Sequence, residues 1–166
     1  MDYSMIRAIV VSSRVAASPK VINVYWWPPI DDWIKVNTDG SALGAPGKIT
    51  AGAFFRDKWS WVRGCFHIKG GIGFAFKAKL LAIITAIGIA HSRGWTKLWV
   101  EADSSYVVSL LETHSKQISH IYREGNQAAD LMANPQRHEG WWPYAIDEIK
   151  HAVAMDMSSH SYICYK

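Results

Sequence analysis

The chain has 166 residues, of which 49% are hydrophobic and 19% charged, and its net charge at pH 7 is +4. This composition is typical of a globular domain with a sizeable core, and it excludes a wholly disordered chain. Two cysteines provide no disulfide framework, and no apolar run approaches the roughly 20 residues of a membrane span. We therefore expect a soluble intracellular monomer without a secretory signal, whose positive charge permits contact with nucleic acid without requiring it.

The first half of the chain predicts a leader followed by three strands. Residues 1–32 show no sustained period and end in paired prolines, which indicates a leader or linker. Hydrophobic and polar residues then alternate over 33–39, and further β runs follow at 49–56 and 61–68, where a glycine cluster ends the third strand. Short connections between the three strands predict an antiparallel meander.

In the second half, helices alternate with strands. Apolar residues recur at helical spacing over 75–91, and the pattern then predicts a strand at 97–102, a helix at 104–112, a strand at 117–123 and a helix at 126–133. Strands separated by a helix imply right-handed parallel crossovers. The fold class is therefore α/β, with a mixed five-stranded sheet made of three antiparallel strands and a parallel βαβ unit, and with flanking helices.

This reading divides the chain into three parts. The predicted domain occupies residues 33–134, and residues 1–32 are its leader. Residues 135–166 form a C-terminal tail, in which residues 147–155 have the pattern of a short amphipathic helix.

Three aspartates stand at or near the carboxyl ends of predicted strands. Asp39 ends the first strand, Asp103 follows the fourth and Asp130 lies in the helix after the last. Taken singly, each is better explained as a turn former or a helix cap, Asp103 above all. Together they suggest a site for a hard divalent metal, because separate strands of an α/β sheet bring their carboxyl ends to one edge. Mg²⁺ takes few protein carboxylates and favours phosphate oxygens, so phosphodiester cleavage is a natural use.

Three segments of the chain resemble the ribonuclease H family. They are VNTDGS at 36–41, LWVEADS at 98–104 and SHIYREGNQAAD at 119–130. The last segment is similar to the ending found in plant, retroelement-related members of that family. Together the three motifs are specific, and the resemblance covers residues 33–134.

The resemblance implies a fold, an activity and a set of site residues. Members of this family cut the RNA strand of an RNA/DNA hybrid, and four acidic residues hold the two divalent metals, Mg²⁺ or Mn²⁺, that activate water and stabilise the leaving oxygen. By matching position, Asp39, Asp103 and Asp130 are three of these catalytic, metal-binding acids. The nucleic-acid partner that the resemblance implies is an RNA/DNA hybrid.

The fourth acid is replaced by a lysine. Where the family usually has Glu within Phe-x-Ala-Glu-Leu in the first long helix, this chain has Lys79 within FKAKL. On a helical wheel Lys79 shares a stripe with alanines beside the apolar arc, so we expect it to face the active site and to pair with Asp39 or Asp103. The alternative is a lysine whose long stem carries its charge out to solvent. Exchanging −1 for +1 reverses a term of about 4 kcal/mol per contact at an effective dielectric near 20, which predicts weak metal binding.

Two further departures concern substrate binding. Only a short helix lies between Asp103 and the strand near residue 117, whereas the family normally inserts a longer helical segment that helps to grip substrate. The loop after the last strand contains Arg123 where better-known family nucleases often carry a histidine, and His120 lies within the predicted strand, where a structural role is favoured.

Several polar residues are candidates for nucleic-acid contact at the same end of the sheet, since arginine and amide side chains often bind phosphate or sugar. They are Asn37, Gly40, Ser41, Arg123, Asn126 and Gln127. Alternative explanations are helix capping by Asn126, simple solvation of Arg123 and Gln127, turn formation by Ser41, and backbone room at Gly40.

The sequence leaves three functional hypotheses open. The first is a ribonuclease-H-type domain that binds or cleaves RNA/DNA hybrid, with activity impaired by Lys79. The second is a non-catalytic nucleic-acid-binding module, in which Lys79 neutralises the carboxylates so that a phosphate backbone binds without metal. The third is a degenerate, retroelement-derived protein without a function of its own.

Overall fold

A computed structural model of the protein describes residues 18–112 and 117–165. The strands in this part of the chain are β1 (Val21–Val24), β2 (Ile34–Gly44), β3 (Gly47–Arg56), β4 (Val62–Gly73), β5 (Leu98–Ala102), β6 (Ile118–His120), β7 (Gly140–Trp142) and β8 (Tyr162–Tyr165). The helices are α1 (Ala75–Ser92), α2 (Ser105–Glu112), α3 (Gln127–Met132) and α4 (Asp147–Met157). A 3₁₀ turn, Arg123–Asn126, leads into α3.

The main sheet is mixed and has the strand order β6-β5-β2-β3-β4-β7. β2, β3, β4 and β7 pair antiparallel, whereas β5 pairs parallel with both β2 and β6. The predicted meander and parallel βαβ unit are therefore confirmed. The number of strands is corrected from five to six, because β7 comes from the region that we interpreted as a tail. Its three residues are too few for a period-2 pattern to be recognised.

Three strand boundaries also differ from the prediction. The first strand does not end at Asp39, because β2 continues to Gly44 and pairs with β3 along that length. The glycines after residue 69 do not end the third strand, since β4 continues to Gly73 and pairs with β3 along that length. The strand predicted at 117–123 is shorter, because backbone pairing with β5 ends at His120 and the chain turns into the 3₁₀ segment.

Helices cover both faces of the sheet. Gly40 and Gly52 lie on neighbouring strands and face opposite sides, because successive residues of a strand alternate. A Cβ added at Gly40 would lie 2.3 Å from the carbonyl carbon of Ala78 in α1, and one at Gly52 would lie 2.3 Å from that of Met132 in α3. These glycines let α1 approach one face and α3 the other.

The helix α1 is the main core helix on its face. Its buried residues are Ala78, Ala82, Ile83, Ala86 and Ala90, and they pack on a cluster that includes Val36, Phe55 and Val100. By length and composition alone, α1 would be long and apolar enough to cross a membrane, the one such helix in the described part of the chain. The packing of α1 on the sheet explains the apolar residues on its buried side, but not those on its exposed side.

The terminal segments pair with each other and pack on the domain. β1 and β8 form a separate antiparallel two-stranded sheet, with Val21 opposite Tyr165 and Val24 opposite Tyr162. Trp26 and Ile121 contribute to the hydrophobic cluster at this sheet. The segments on either side of residues 33–134 therefore contribute buried side chains.

Beneath these segments lies a buried group of ions and amides, which we call the inner ion cluster. Its members are Lys35, Asn37, Arg56, Glu101 and Asp156. Lys35 Nζ donates to Glu101 Oε1 at 2.7 Å, and an Arg56 guanidinium nitrogen donates to Asp156 Oδ2, also at 2.7 Å. Asn37 joins the two pairs, since its amide nitrogen donates to Glu101 and its oxygen accepts from Arg56.

Candidate functional site at the carboxyl end of the sheet

The parallel pairing of β2 and β5 brings Asp39 and Asp103 to one edge. Thr38 lies opposite Ala102 in the register, so Asp39 of β2 lies beside Asp103, the residue that follows β5. β5 ends here, at the carboxyl end of the parallel pair, which is where α/β sheets place ligands, whereas β2 continues to Gly44 in its pairing with β3.

Lys79 lies between these two carboxylates. Its Nζ is 2.5 Å from Oδ1 of Asp39 and 2.5 Å from Oδ1 of Asp103. The close approach of α1 to Gly40 positions the lysine, because the Lys79 backbone nitrogen would be only 2.4 Å from a Cβ at that glycine. The side chain of Lys79 is 20% exposed, so the group is shielded but reached by solvent. We call Asp39, Lys79 and Asp103 the edge ion cluster.

The edge ion cluster shifts the pKa values of two of its members. Burial raises the pKa of Asp39 to about 6, and the Asp103 charge adds to this, although Lys79 and the backbone N–H of Gly40 both favour the ionised carboxylate. For Lys79, burial acts to lower the pKa, but the two carboxylates outweigh it and the pKa is raised. The lysine is therefore a firmly held cation at neutral pH.

Asp130 is at the same end of the sheet but has a different partner. Arg123 donates to its Oδ1 at 3.1 Å, and both side chains are largely in solvent. The charge and hydrogen bond of Asp130 raise the pKa of Arg123, and the charges of Asp39 and Asp103 contribute. Three carboxylates and two cations thus share one electrostatic neighbourhood.

Comparison with known proteins shows the family to which the chain belongs. The family model for reverse transcriptase-like proteins matches residues 37–119, half of the chain. The chain belongs to the reverse transcriptase-like family. A protein of Arabidopsis thaliana whose name assigns it to ribonuclease H is 30% identical over 131 residues, which cover 66% of this chain and 21% of that protein. This member of the family thus spans about a fifth of that relative's length.

Solved structures show the same fold. Ribonuclease H1 of Halobacterium salinarum is 20% identical, with a TM-score of 0.57 over 61% of this chain and 95% of its own. The ribonuclease H1 LC11, solved in complex with an RNA/DNA hybrid, is 22% identical, with a TM-score of 0.56 over 61% of this chain and 94% of its own. The predicted ribonuclease-H-like fold is confirmed by these likenesses.

Candidate nucleic-acid residues of this reverse transcriptase-like chain fall into two groups. Arg123 and Gln127 are exposed, and Ser41 is half-buried in β2, two residues after Asp39. Asn37 and Asn126 are buried, and the Asn37 amide nitrogen donates to the Asn126 side-chain oxygen at 3.2 Å. Their binding of nucleic acid stays a prediction, and the structure gives the two asparagines an internal role.

Gly40 and His120 each make a contact with one of the two aspartates of the edge ion cluster. The close contact with α1 accounts for the absence of a side chain at Gly40, and its backbone N–H donates to Asp39 Oδ1 at 2.7 Å. A ring nitrogen of His120 lies 3.2 Å from the carbonyl oxygen of Asp103, and its ring packs edge-on against Tyr122. The sequence predicted only that His120 lies within a strand, and it gave no indication of the contact with Asp103.

Sequence reasoning also missed Glu101, which lies two residues before Asp103 in the motif used for recognition. It is buried, accepts from Lys35 and Asn37, and its carbonyl accepts from the Thr38 hydroxyl at 3.1 Å. A glutamate inside an otherwise apolar strand was the available signal, because a buried carboxylate requires a partner.

A divalent ion does not fit this set of residues. In residues 18–112 and 117–165, no three His, Cys, Asp or Glu side chains are grouped so that they could hold a metal ion. The Lys79 ammonium contacts both carboxylates that would provide ligands. A +2 ion about 4 Å from this +1 charge would be repelled by on the order of 8 kcal/mol at an effective dielectric near 20.

Proposed function

We propose that this chain is a ribonuclease-H-type domain that binds an RNA/DNA hybrid, and that its cleavage of that hybrid is strongly impaired. Family membership and the fold support nucleic-acid binding, and a structural neighbour was solved with an RNA/DNA hybrid. The net charge of +4 is compatible with a polyanionic partner. The observation that carries the proposal is the position of Lys79 Nζ, 2.5 Å from both Asp39 and Asp103.

Impairment follows from charge and space at the edge ion cluster. Metal-dependent hydrolysis of a phosphodiester requires a cation of charge +2 that activates water and stabilises the leaving oxygen. The ammonium of Lys79 neutralises Asp39 and Asp103, and its third N–H can donate a hydrogen bond to water or phosphate. It is not a Lewis acid, however, and cannot activate a water as a divalent ion does. Asp39, Asp103 and Asp130 would therefore be remnants of a catalytic set rather than ligands in this chain.

A non-catalytic binding module is the second candidate. Lys79 and Arg123 together offset two of the three carboxylate charges at this edge, and Arg123 is 73% exposed, which is favourable for contact with a phosphate. Under this reading the duplex would lie on the same surface without a metal ion.

Replacing Lys79 by the acid tests the proposal. With labelled RNA/DNA hybrid and Mg²⁺ or Mn²⁺, we expect little or no cleavage by the natural chain and partial recovery by Lys79→Glu, because the variant restores a fourth carboxylate. Lys77→Glu is the matched control, since it makes the same charge change on an exposed position of the same helix and should not restore cleavage. Equally robust cleavage by the natural chain and Lys79→Glu would refute the impairment.

Binding measurements separate the two candidates. If the natural chain binds hybrid through phosphate contacts alone, its affinity should fall steeply with salt and should not change when EDTA is added. Loss of binding on addition of EDTA would instead show that the natural chain uses a metal ion. No binding to hybrid at low salt would reject both candidates.

A further inference from the structure

A cleft opens where β2, β3 and β4 extend beyond the edge ion cluster. It has a volume of about 400 Å³ and lies at the end of β2, the start of β3 and the end of β4. Its lining consists of Leu43, Lys48, Ile49, Thr50, Lys69, Gly71, Ile72 and Pro135. None of these lining residues, all in the described part of the chain, is acidic. We call this the strand-tip cleft.

The strand-tip cleft contains two lysines, Lys48 and Lys69, and both are exposed. In the described part of the chain neither ammonium forms a salt bridge, whereas Lys58 and Lys97 each pair with an aspartate. Glu139 lies beside Lys69, but its Oε1 accepts from the Lys69 backbone N–H at 2.7 Å and it is outside the lining of the cleft. Both ammonium groups can therefore bind an anionic ligand.

The strand-tip cleft lies on the same face of the sheet as Asp39. Asp39 is opposite Gly52 in the register, and Gly52 faces α3. Because side chains alternate along a strand, Ser41 and Leu43 follow Asp39 on that face. Leu43 is opposite Lys48 and lies about 13 Å from Asp39 along β2, at about 3.3 Å per residue. One continuous surface therefore connects the edge ion cluster with the strand-tip cleft.

A phosphodiester backbone has the chemistry that this surface requires. A nucleic-acid duplex presents one negative charge per about 1.7 Å of its axis, so a duplex on the edge ion cluster has several phosphates within reach of the strand-tip cleft. Lysine binds phosphate as a point charge, whatever the base sequence. Leu43 and Ile72, each 62% exposed, provide apolar walls on which sugar rings can pack.

We propose that the strand-tip cleft is a second contact site for the RNA/DNA hybrid, in which Lys48 and Lys69 bind backbone phosphates. This inference rests on the hybrid binding proposed above and adds a contact that needs neither a metal ion nor the edge ion cluster. Phosphate contacts fix the position of a duplex without reading its sequence. The strand-tip cleft therefore contributes equally to the affinity for hybrids of any sequence.

Removal of the two charges tests the strand-tip cleft. Binding of two labelled hybrids of unrelated sequence is measured by fluorescence anisotropy at several salt concentrations. The double variant Lys48→Gln and Lys69→Gln should bind both hybrids roughly tenfold more weakly at low salt, and its slope of log affinity against log salt should be smaller by about two. The control Lys58→Gln and Lys97→Gln makes the same change in net charge at the opposite end of the sheet and should leave both quantities unchanged.

Cross-linking tests whether the contact is direct. With a hybrid that carries a bromoacetyl group on backbone phosphorothioates, Lys48→Cys should form a covalent adduct and Lys97→Cys should not. The natural chain is the blank, since Cys65 and Cys164 are buried.

The outcomes separate this inference from the proposed function. Hybrid binding by the natural chain with equal losses in both double variants, or with no loss in either, would overturn the strand-tip cleft and leave hybrid binding intact. No hybrid binding by the natural chain at low salt would reject the proposed function and the strand-tip cleft together. A polyglutamate peptide that binds more tightly than the hybrid, and only while Lys48 and Lys69 are present, would assign the cleft to an acidic protein segment and overturn the proposal.

Discussion

Two ion clusters connect the same strands, β2 and β5, and they differ in their access to solvent. In the inner ion cluster, Lys35 is 1% and Arg56 0% exposed, and each is paired with a buried carboxylate. In the edge ion cluster, Lys79 is 20% exposed and bridges two carboxylates at the rim. A buried charge that loses its partner cannot be hydrated, whereas a partly exposed charge at the edge of the sheet can be.

This difference explains where the chain can tolerate change. Substitution in the inner ion cluster should lower the stability of the fold. The cluster connects the sheet with Asp156 in α4 and with Trp26 ahead of β2. Substitution in the edge ion cluster should mainly alter chemistry. A lysine in place of a metal-binding acid is a change of the second kind.

The largest expected effect is in the inner ion cluster. Asp156→Ala leaves the Arg56 guanidinium buried without its ion pair and removes the acceptor of the Tyr162 hydroxyl, 2.7 Å away. We expect a loss of about 3–5 kcal/mol in the free energy of unfolding, measured by urea denaturation. Asp147→Ala removes an acid from the exposed pair with Lys150 in the same helix and should leave the urea midpoint unchanged. Similar midpoints for the two variants would contradict the contrast between buried and exposed pairs.

A smaller effect is expected where α1 meets the edge ion cluster. Gly40→Ala would place a Cβ 2.3 Å from backbone atoms of Ala78, and the required shift of α1 should cost about 1–3 kcal/mol in thermal unfolding. Gly88→Ala is the control in the same helix, because a Cβ there meets nothing within 4 Å. It should raise stability by about 0.5–1 kcal/mol, since alanine is the better helix former. Shifts of the same sign would refute this account of Gly40.

The smallest expected effect is a titration shift in the edge ion cluster. Lys79→Met removes a charge that favours the ionised form of Asp39, so the pKa of Asp39 should rise above its value of about 6. Because the folded pKa lies above the unfolded value, deprotonation opposes folding, and stability is lost as pH rises through the window from about 4 to the folded pKa. The variant should therefore lose more stability than the natural chain between pH 5 and 8. Carboxyl ¹³C NMR measures the pKa directly, and an unchanged or lower value would contradict the bridging role of Lys79.

Local patterns in the sequence determined most of the main sheet and the identity of the acids at its edge. Alternation predicted β2, β3 and β4, and helical spacing predicted α1. The motifs around Asp39 and Asp103 predicted the edge at which the two acids meet, although β2 continues past Asp39 to Gly44. These features could be read because each depends on residues that are close in the chain. The same holds for Lys79, whose place on the wheel predicted the side that faces the carboxylates.

Tertiary structure alone decided how distant residues share the interior. Arg56 and Asp156 are 100 residues apart and Asn37 and Asn126 are 89 apart, so no local period connects them. The pairing of β1 with β8 and the addition of β7 to the sheet likewise depend on strands of three or four residues. Elements this short have too little pattern of their own, and their conformation comes from the backbone partner and the buried surface that the fold provides.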